Sequence, residues 1–130
     1  MKTKTHTIVL ALSILCWLVV AHAQDEEPVR VSADEIGRTW SQNEVRAKLR
    51  YSDKPLIITG EISSIQLRGD DEAVIYLDAD ETFFGIEVAL ISSELYKAAD
   101  LNEGERVTLY CEDLRDPMFG GLECDKGRIL

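Results

Sequence analysis

From Leu56 onward the chain is written in short alternating runs, and a glycine interrupts the first of them. Leu56-Ile57-Ile58-Thr59-Gly60-Glu61-Ile62 continues through Ile65 and Leu67, and a glycine inside such a run marks a sharp bend or a close backbone approach. Arg68-Gly69-Asp70-Asp71-Glu72 reads as a turn, Ala73–Asp78 as a second strand and Ala79-Asp80-Glu81 as another turn. The third strand, Thr82–Ile91, is expected to place Phe84, Ile86, Val88 and Leu90 on one face and Phe83, Gly85 and Glu87 on the other. Ser92 or Ser93 then caps a short helix running to Ala99. A fourth strand, Arg106–Asp113, turns back through Leu122 to Leu130. Three strands, a helix and two strands, the first strand bent, predict a small closed barrel of the oligonucleotide/oligosaccharide-binding (OB) type.

Two short helices are expected before the barrel. Ser32 with Glu35 forms a capping box, flanked by Val31 and Ile36 as a hydrophobic staple. Ser41 with Glu44, flanked by Trp40 and Val45, repeats the device. These signals predict helices over Ala33–Thr39 and Gln42–Tyr51, with Asp53-Lys54-Pro55 ending the helical part. The fold class is therefore mainly β with helices: a β-β-β-α-β-β barrel preceded by two short helices.

The start of the chain carries Lys2 and Lys4, an apolar run from Ile8 to Val20 and then Ala21-His22-Ala23. This is the form of a cleavable export signal. The apolar run falls short of the ~20 residues that span a hydrocarbon core, which weighs against an uncleaved anchor. Residues 1–23 are thus expected to be a signal, 24–30 a flexible leader and 31–130 the domain. The location is exported, periplasmic or secreted, with no stable membrane span after cleavage.

Cleavage removes both histidines, His6 and His22. It also takes the basic residues from 14 to 12 against 24 acidic ones, a formal charge of about −12. A histidine-free chain has no Ser-His or Cys-His nucleophile pair and no His-ligated metal, so no enzyme is expected and no cofactor is implied. The charge disfavours polyanions as general partners. On that ground nucleic acid is set aside, although single-stranded nucleic acid is the alternative ligand for such a barrel. Arg46, Lys48, Arg50 and Lys54 make up the basic cluster, expected on the second helix. The acidic turns Asp70-Asp71-Glu72 and Asp78-Ala79-Asp80-Glu81 supply oxygen ligands. The second does not continue as a calcium loop, because Phe83 stands where glycine is needed, and no metal site is expected.

Cys111 and Cys124 flank the turn Asp116–Gly121 almost symmetrically. In a symmetric hairpin they face each other at a separation suited to a disulfide; two buried thiols are the alternative.

Val31-Ser32-Ala33-Asp34-Glu35-Ile36, then Asn43-Glu44 with Ala47 and Tyr51, then Pro55 through Ile65, and later Gly104-Glu105-Arg106-Val107-Thr108-Leu109, together resemble the tRNA-anti-like family of bacterial OB-fold proteins. The resemblance implies an OB barrel with a helical extension, often in exported or lipid-anchored proteins, and no settled activity or catalytic set. OB barrels bind across their second and third strands. Tyr76, Phe83 and Glu87, with Glu61 alongside, are the ligand-binding candidates. Aromatics among carboxylates suit a cationic peptide, an oligosaccharide, a protein partner or a cation. The expected function is a non-catalytic exported binding module.

Overall fold

The structure, a computed structural model, describes residues 26–82, 84–117 and 121–130. The expected export signal and Phe83 lie outside the described residues. Among the described residues no helix is long and apolar enough to cross a membrane.

The chain is a closed five-stranded barrel with helices packed against it. In chain order the elements are β1 (Val29–Ser32), α1 (Ala33–Gln42), α2 (Glu44–Tyr51), β2 (Leu56–Arg68), β3 (Glu72–Leu77), β4 (Ile86–Leu90), a 3₁₀ turn (Ser92–Glu94) leading into α3 (Leu95–Ala98), β5 (Arg106–Cys111), β6 (Asp113–Arg115) and β7 (Leu122–Ile129). The barrel strands follow the order β2-β3-β4-β7-β5, and β5 returns to β2. The β4–β7 pair is parallel and the other barrel pairs are antiparallel.

Closure rests on β2. Its first half, Leu56–Glu61, pairs with β5, and its second half, Ile62–Arg68, pairs with β3 across a bulge between Ile62 and Ser64. Gly60 lies just before the change of partner. A Cβ there would stand 2.9 Å from the Ala33 Cβ and 3.3 Å from Leu77 Cδ1, so the bend and the close approach of α1 both need glycine. Inside the barrel, Ile58, Ile62, Ile75, Leu77, Ile86, Val88 and Leu109 are fully buried. Ile36, Ala47 and Tyr51 join the same core from the two N-terminal helices.

Several local expectations are corrected. The leader expected through residue 30 gives way at Val29 to β1, which pairs in parallel with Leu56–Thr59. Ser32 caps α1 as expected, accepting from the Glu35 N–H at 3.1 Å. The second capping box does not form. Helix α1 runs on through Ser41 to Gln42, and Asn43 caps α2 by accepting from the Arg46 N–H at 2.9 Å. Asn43 takes the extended conformation that an N-cap requires. Val45 consequently points outward instead of stapling the helix and is 70% exposed. The third strand is shorter than expected: it starts at Ile86, and Phe84 is 62% exposed outside it. Neither Ser92 nor Ser93 makes a side-chain cap to α3.

Cys111 and Cys124 form a disulfide with a Cα–Cα distance of 5.8 Å, but they are not facing ladder partners. Cys124 pairs with Leu114 and Cys111 with Leu56. The hairpin turns later than symmetry about the cysteines implies, and the chain breaks at Glu112 between β5 and β6. Both cysteines point into the core, where the bond ties the end of β5 to the middle of β7.

Candidate functional site

The strand face expected to bind ligand is internally bonded. Tyr76 and Glu87 are cross-strand partners, and the Tyr76 hydroxyl donates to Glu87 Oε1 at 3.2 Å. Arg68, from the end of β2, pairs with the same Glu87 oxygen and with Glu72 at 3.2 Å. Burial and then the neighbouring Glu87 charge raise the Tyr76 hydroxyl above its ordinary pKa, with Arg68 acting in the opposite sense. At Arg68 burial opposes the charge, but Glu87, Tyr76 and Glu72 together outweigh it and raise the guanidinium pKa. Tyr76 and Glu87 are thus brought together as the candidates require, with Arg68 as a third member that sequence reasoning missed. Glu61 is placed elsewhere. Its ladder partner is Arg106 on β5, on the other half of the bent strand. Phe83 lies outside the described residues. Along β3, β4 and β7, Glu72, Glu87, Glu123 and Asp125 stand with the exposed Lys126 and Arg128, and Arg68 and Arg115 from the flanking strands pair with Glu72, Glu87 and Asp125, so this face is of mixed charge and largely paired within itself.

A second arrangement lies where α1 and α2 meet the β3–β4 loop and β6. Trp40, half-buried near the end of α1, lines two adjoining clefts. One, of about 500 Å³, runs between α2 and β6 and is lined by Val45, Lys48, Asp113 and Arg115 among others. The other, of about 350 Å³, lies against the β3–β4 loop and Phe84. The Trp40 indole N–H donates to Asp116 Oδ2 at 3.2 Å, which fixes the ring edge, and the half-buried ring packs against the core while lining both clefts. The α1 end of this region is held by Arg38, paired with Asp80 at 2.8 Å, and by the Asp80 N–H, which donates to Asp34 Oδ1 at 3.0 Å. The sequence pattern assigns Trp40 to a staple and Phe84 to the strand face of Ile86, Val88 and Leu90. The sequence carries Asn43 as a second cap of strength comparable to Ser41, and it is the use of Asn43 that places α1 one turn longer and Trp40 inside it.

Helix α2 borders the first cleft and carries the basic cluster. Arg46, Lys48 and Arg50 are exposed and have no ion-pair partner among the described residues. Lys54 donates to the Leu49 carbonyl at 3.1 Å and so closes the helix C-terminus. Among the described residues no group of three or more His, Cys, Asp or Glu is placed to hold a metal ion.

Solved structures share this fold at low identity. A lipoprotein of Klebsiella pneumoniae subsp. pneumoniae, described as a candidate nucleic acid-binding protein, is 13% identical and superposes with a TM-score of 0.62 over 79% of this chain and 92% of that one. A candidate aspartyl-tRNA synthetase of Leishmania major Friedlin is 11% identical, with a TM-score of 0.52 over 85% of this chain and 22% of that one. The charge-based expectation against nucleic acid is overturned by these neighbours, since proteins named for such ligands carry the same barrel. The physical reason is that net charge sums over a surface, whereas a phosphate chain meets one patch of it, and here cations are gathered on α2. No curated protein matches the sequence significantly. The tRNA_anti-like family pattern matches residues 1–113. That match spans most of the chain, both N-terminal helices and four of the five barrel strands; the chain belongs to the tRNA_anti-like family.

Proposed function

We propose that this chain is an exported, non-catalytic OB-fold module that binds single-stranded nucleic acid, with Trp40 as the stacking side chain. The observation that carries the reading is the position of Trp40, shared by two open clefts and next to the cations of α2. Single strands are held by an aromatic on which bases stack and by cations that track the phosphates, and stacking adds ~1–3 kcal/mol per base. The names of the similar barrels support the same class of ligand. The basic start, apolar run and Ala21-His22-Ala23 of the sequence support export, and the lack of a histidine after residue 23, which leaves no Ser-His or Cys-His pair, supports the non-catalytic part of the reading. Fluorescence of Trp40 titrated with a single-stranded oligonucleotide, beside calorimetry, tests it. Micromolar binding that weakens steeply with salt is expected, and no binding at low salt by either method refutes it.

The carboxylates lining the Trp40 clefts, Glu44, Asp53, Glu81, Asp113 and Asp116, favour a second reading, a basic protein or peptide as ligand. A basic peptide in the same titration separates the two, because it competes with oligonucleotide only if they share a surface.

A further inference from the structure

We infer that the phosphate chain of the ligand runs along the outer surface of α2, away from the strand face through which barrels of this type ordinarily bind. This rests on the nucleic-acid reading above and specifies where the ligand lies. Helical geometry sets out the surface. Ala47 and Tyr51 face the core, so Val45 and Leu49, one turn apart, stand outermost and are 70% and 73% exposed. At 100° per residue Lys48 falls on one side of this apolar stripe and Arg46 and Arg50 on the other, with Lys54 beyond the C-terminus. The Lys48 side opens into the Trp40 cleft, whose far wall carries Asp113 and Asp116 and whose ends carry Glu44 and Asp53, so the phosphates keep to the helix surface and only a base reaches Trp40. An apolar stripe flanked by cations and ending at an aromatic suits a chain of phosphates carrying flat, weakly polar bases.

The strand face offers less. Its central cation, Arg68, is already engaged by Glu87 and Glu72, and Tyr76 is engaged by Glu87. On the neighbouring strands Arg115 is engaged by Asp125. A phosphate there must displace existing ion pairs. On α2 it meets cations without ion-pair partners; Glu44, at the first turn, is the one acid of the helix. The simpler account is that Lys48 and Arg50 only complement the helix dipole. That account leaves out Arg46, which lies near the N-terminal end, and the outward Val45 and Leu49.

The test uses the chain from Gln24 with all substitutions checked for fold by circular dichroism. In the triple variant Arg46→Gln, Lys48→Gln, Arg50→Gln, affinity for a single-stranded oligonucleotide is expected to fall at least tenfold at low salt. The slope of log K against log salt is expected to shrink by about two, from ~0.7 per phosphate contact for single strands. The double variant Arg68→Gln, Tyr76→Phe is expected to bind as the parent does. If the parent binds and the triple variant keeps its affinity and slope, or if the double variant alone loses binding, the placement is overturned while the nucleic-acid reading stands. If the parent ignores oligonucleotide, both fall. An anionic phosphatidylglycerol vesicle forms the last arm. Sedimentation of the parent with vesicles, lost in the triple variant and unmatched by oligonucleotide binding, reassigns the surface to membrane and overturns the placement.

Discussion

Replacing Gly37 by alanine sets two effects of opposite sign against each other on helix α1. Alanine is the better helix former by ~1 kcal/mol, so an exposed Gly37 would stabilise the fold when replaced. Gly37 is instead buried against the β3–β4 loop. An added Cβ would fall on the Asp80 carbonyl oxygen and lie 3.1 Å from Thr82 Cγ2 and 3.2 Å from the Ala79 Cβ. The carbonyl is backbone and cannot rotate away, so helix and loop must part. Forced overpacking costs ~1–3 kcal/mol. Parting also weakens the hydrogen bond from the Asp80 N–H to Asp34, ~1 kcal/mol, and the half-exposed Arg38–Asp80 pair, at most ~1 kcal/mol. The net expectation is a loss of about 2 kcal/mol, which for a domain of this size lowers Tm by roughly 8–16 °C. Urea unfolding followed by Trp40 fluorescence measures it. A variant as stable as the parent, or more so, would show that α1 does not rest on Asp80 and that the wall of the Trp40 clefts is wrongly described.

Three other outcomes follow from the same geometry. Asn43→Ala should cost ~1 kcal/mol in urea unfolding through loss of the α2 cap, while Ser41→Ala should cost nothing; the reverse order would restore the capping box that the structure removes. Reducing the Cys111–Cys124 disulfide, which spans 13 residues, should lower stability by ~3 kcal/mol, and identical urea midpoints with and without reductant would contradict it. Tyr76 holds its proton more tightly in the folded chain than in the unfolded one, where it leaves near pH 10. Its contribution is whole below that pH and declines as pH rises past it. The parent should therefore lose more stability between pH 9 and pH 11 than Tyr76→Phe does, and equal losses would dismiss the Tyr76–Glu87 bond as a contributor.

The barrel was legible because its determinants are local. Alternation in β3 and β5, the glycine in β2 and the turn residues between strands all act within a few positions. What escaped depends on partners distant in sequence. Val29–Ser32 is four residues long, and only its parallel pairing with Leu56–Thr59 makes it a strand. Ser41 and Asn43 are comparable N-caps, and the choice between them falls to the burial of Thr39 and Tyr51, whose hydroxyls lie 3.5 Å apart. The cysteine pairing was correct on the wrong geometry, since the hairpin keeps one register from Leu109–Ile129 to Arg115–Glu123 and turns later than symmetry about the cysteines implies. Among the candidate residues, alternation predicts the face that Tyr76 and Glu87 take, whereas the register that sets them opposite each other is a property of the folded ladder. Trp40 was missed because its cleft is made by three segments that the sequence keeps apart.

Strand β1 has a bearing on self-association. Where β2 bends away from β3, its first half keeps β5 on one side and would present bare amide and carbonyl groups on the other; β1 takes that place. An uncovered strand edge recruits strands from other molecules. The segment Val-Arg-Val-Ser beginning at Val29 is therefore an internal donor strand, and shortening the chain past it would expose an acceptor edge along Leu56–Thr59 to the same edge of a neighbouring shortened copy.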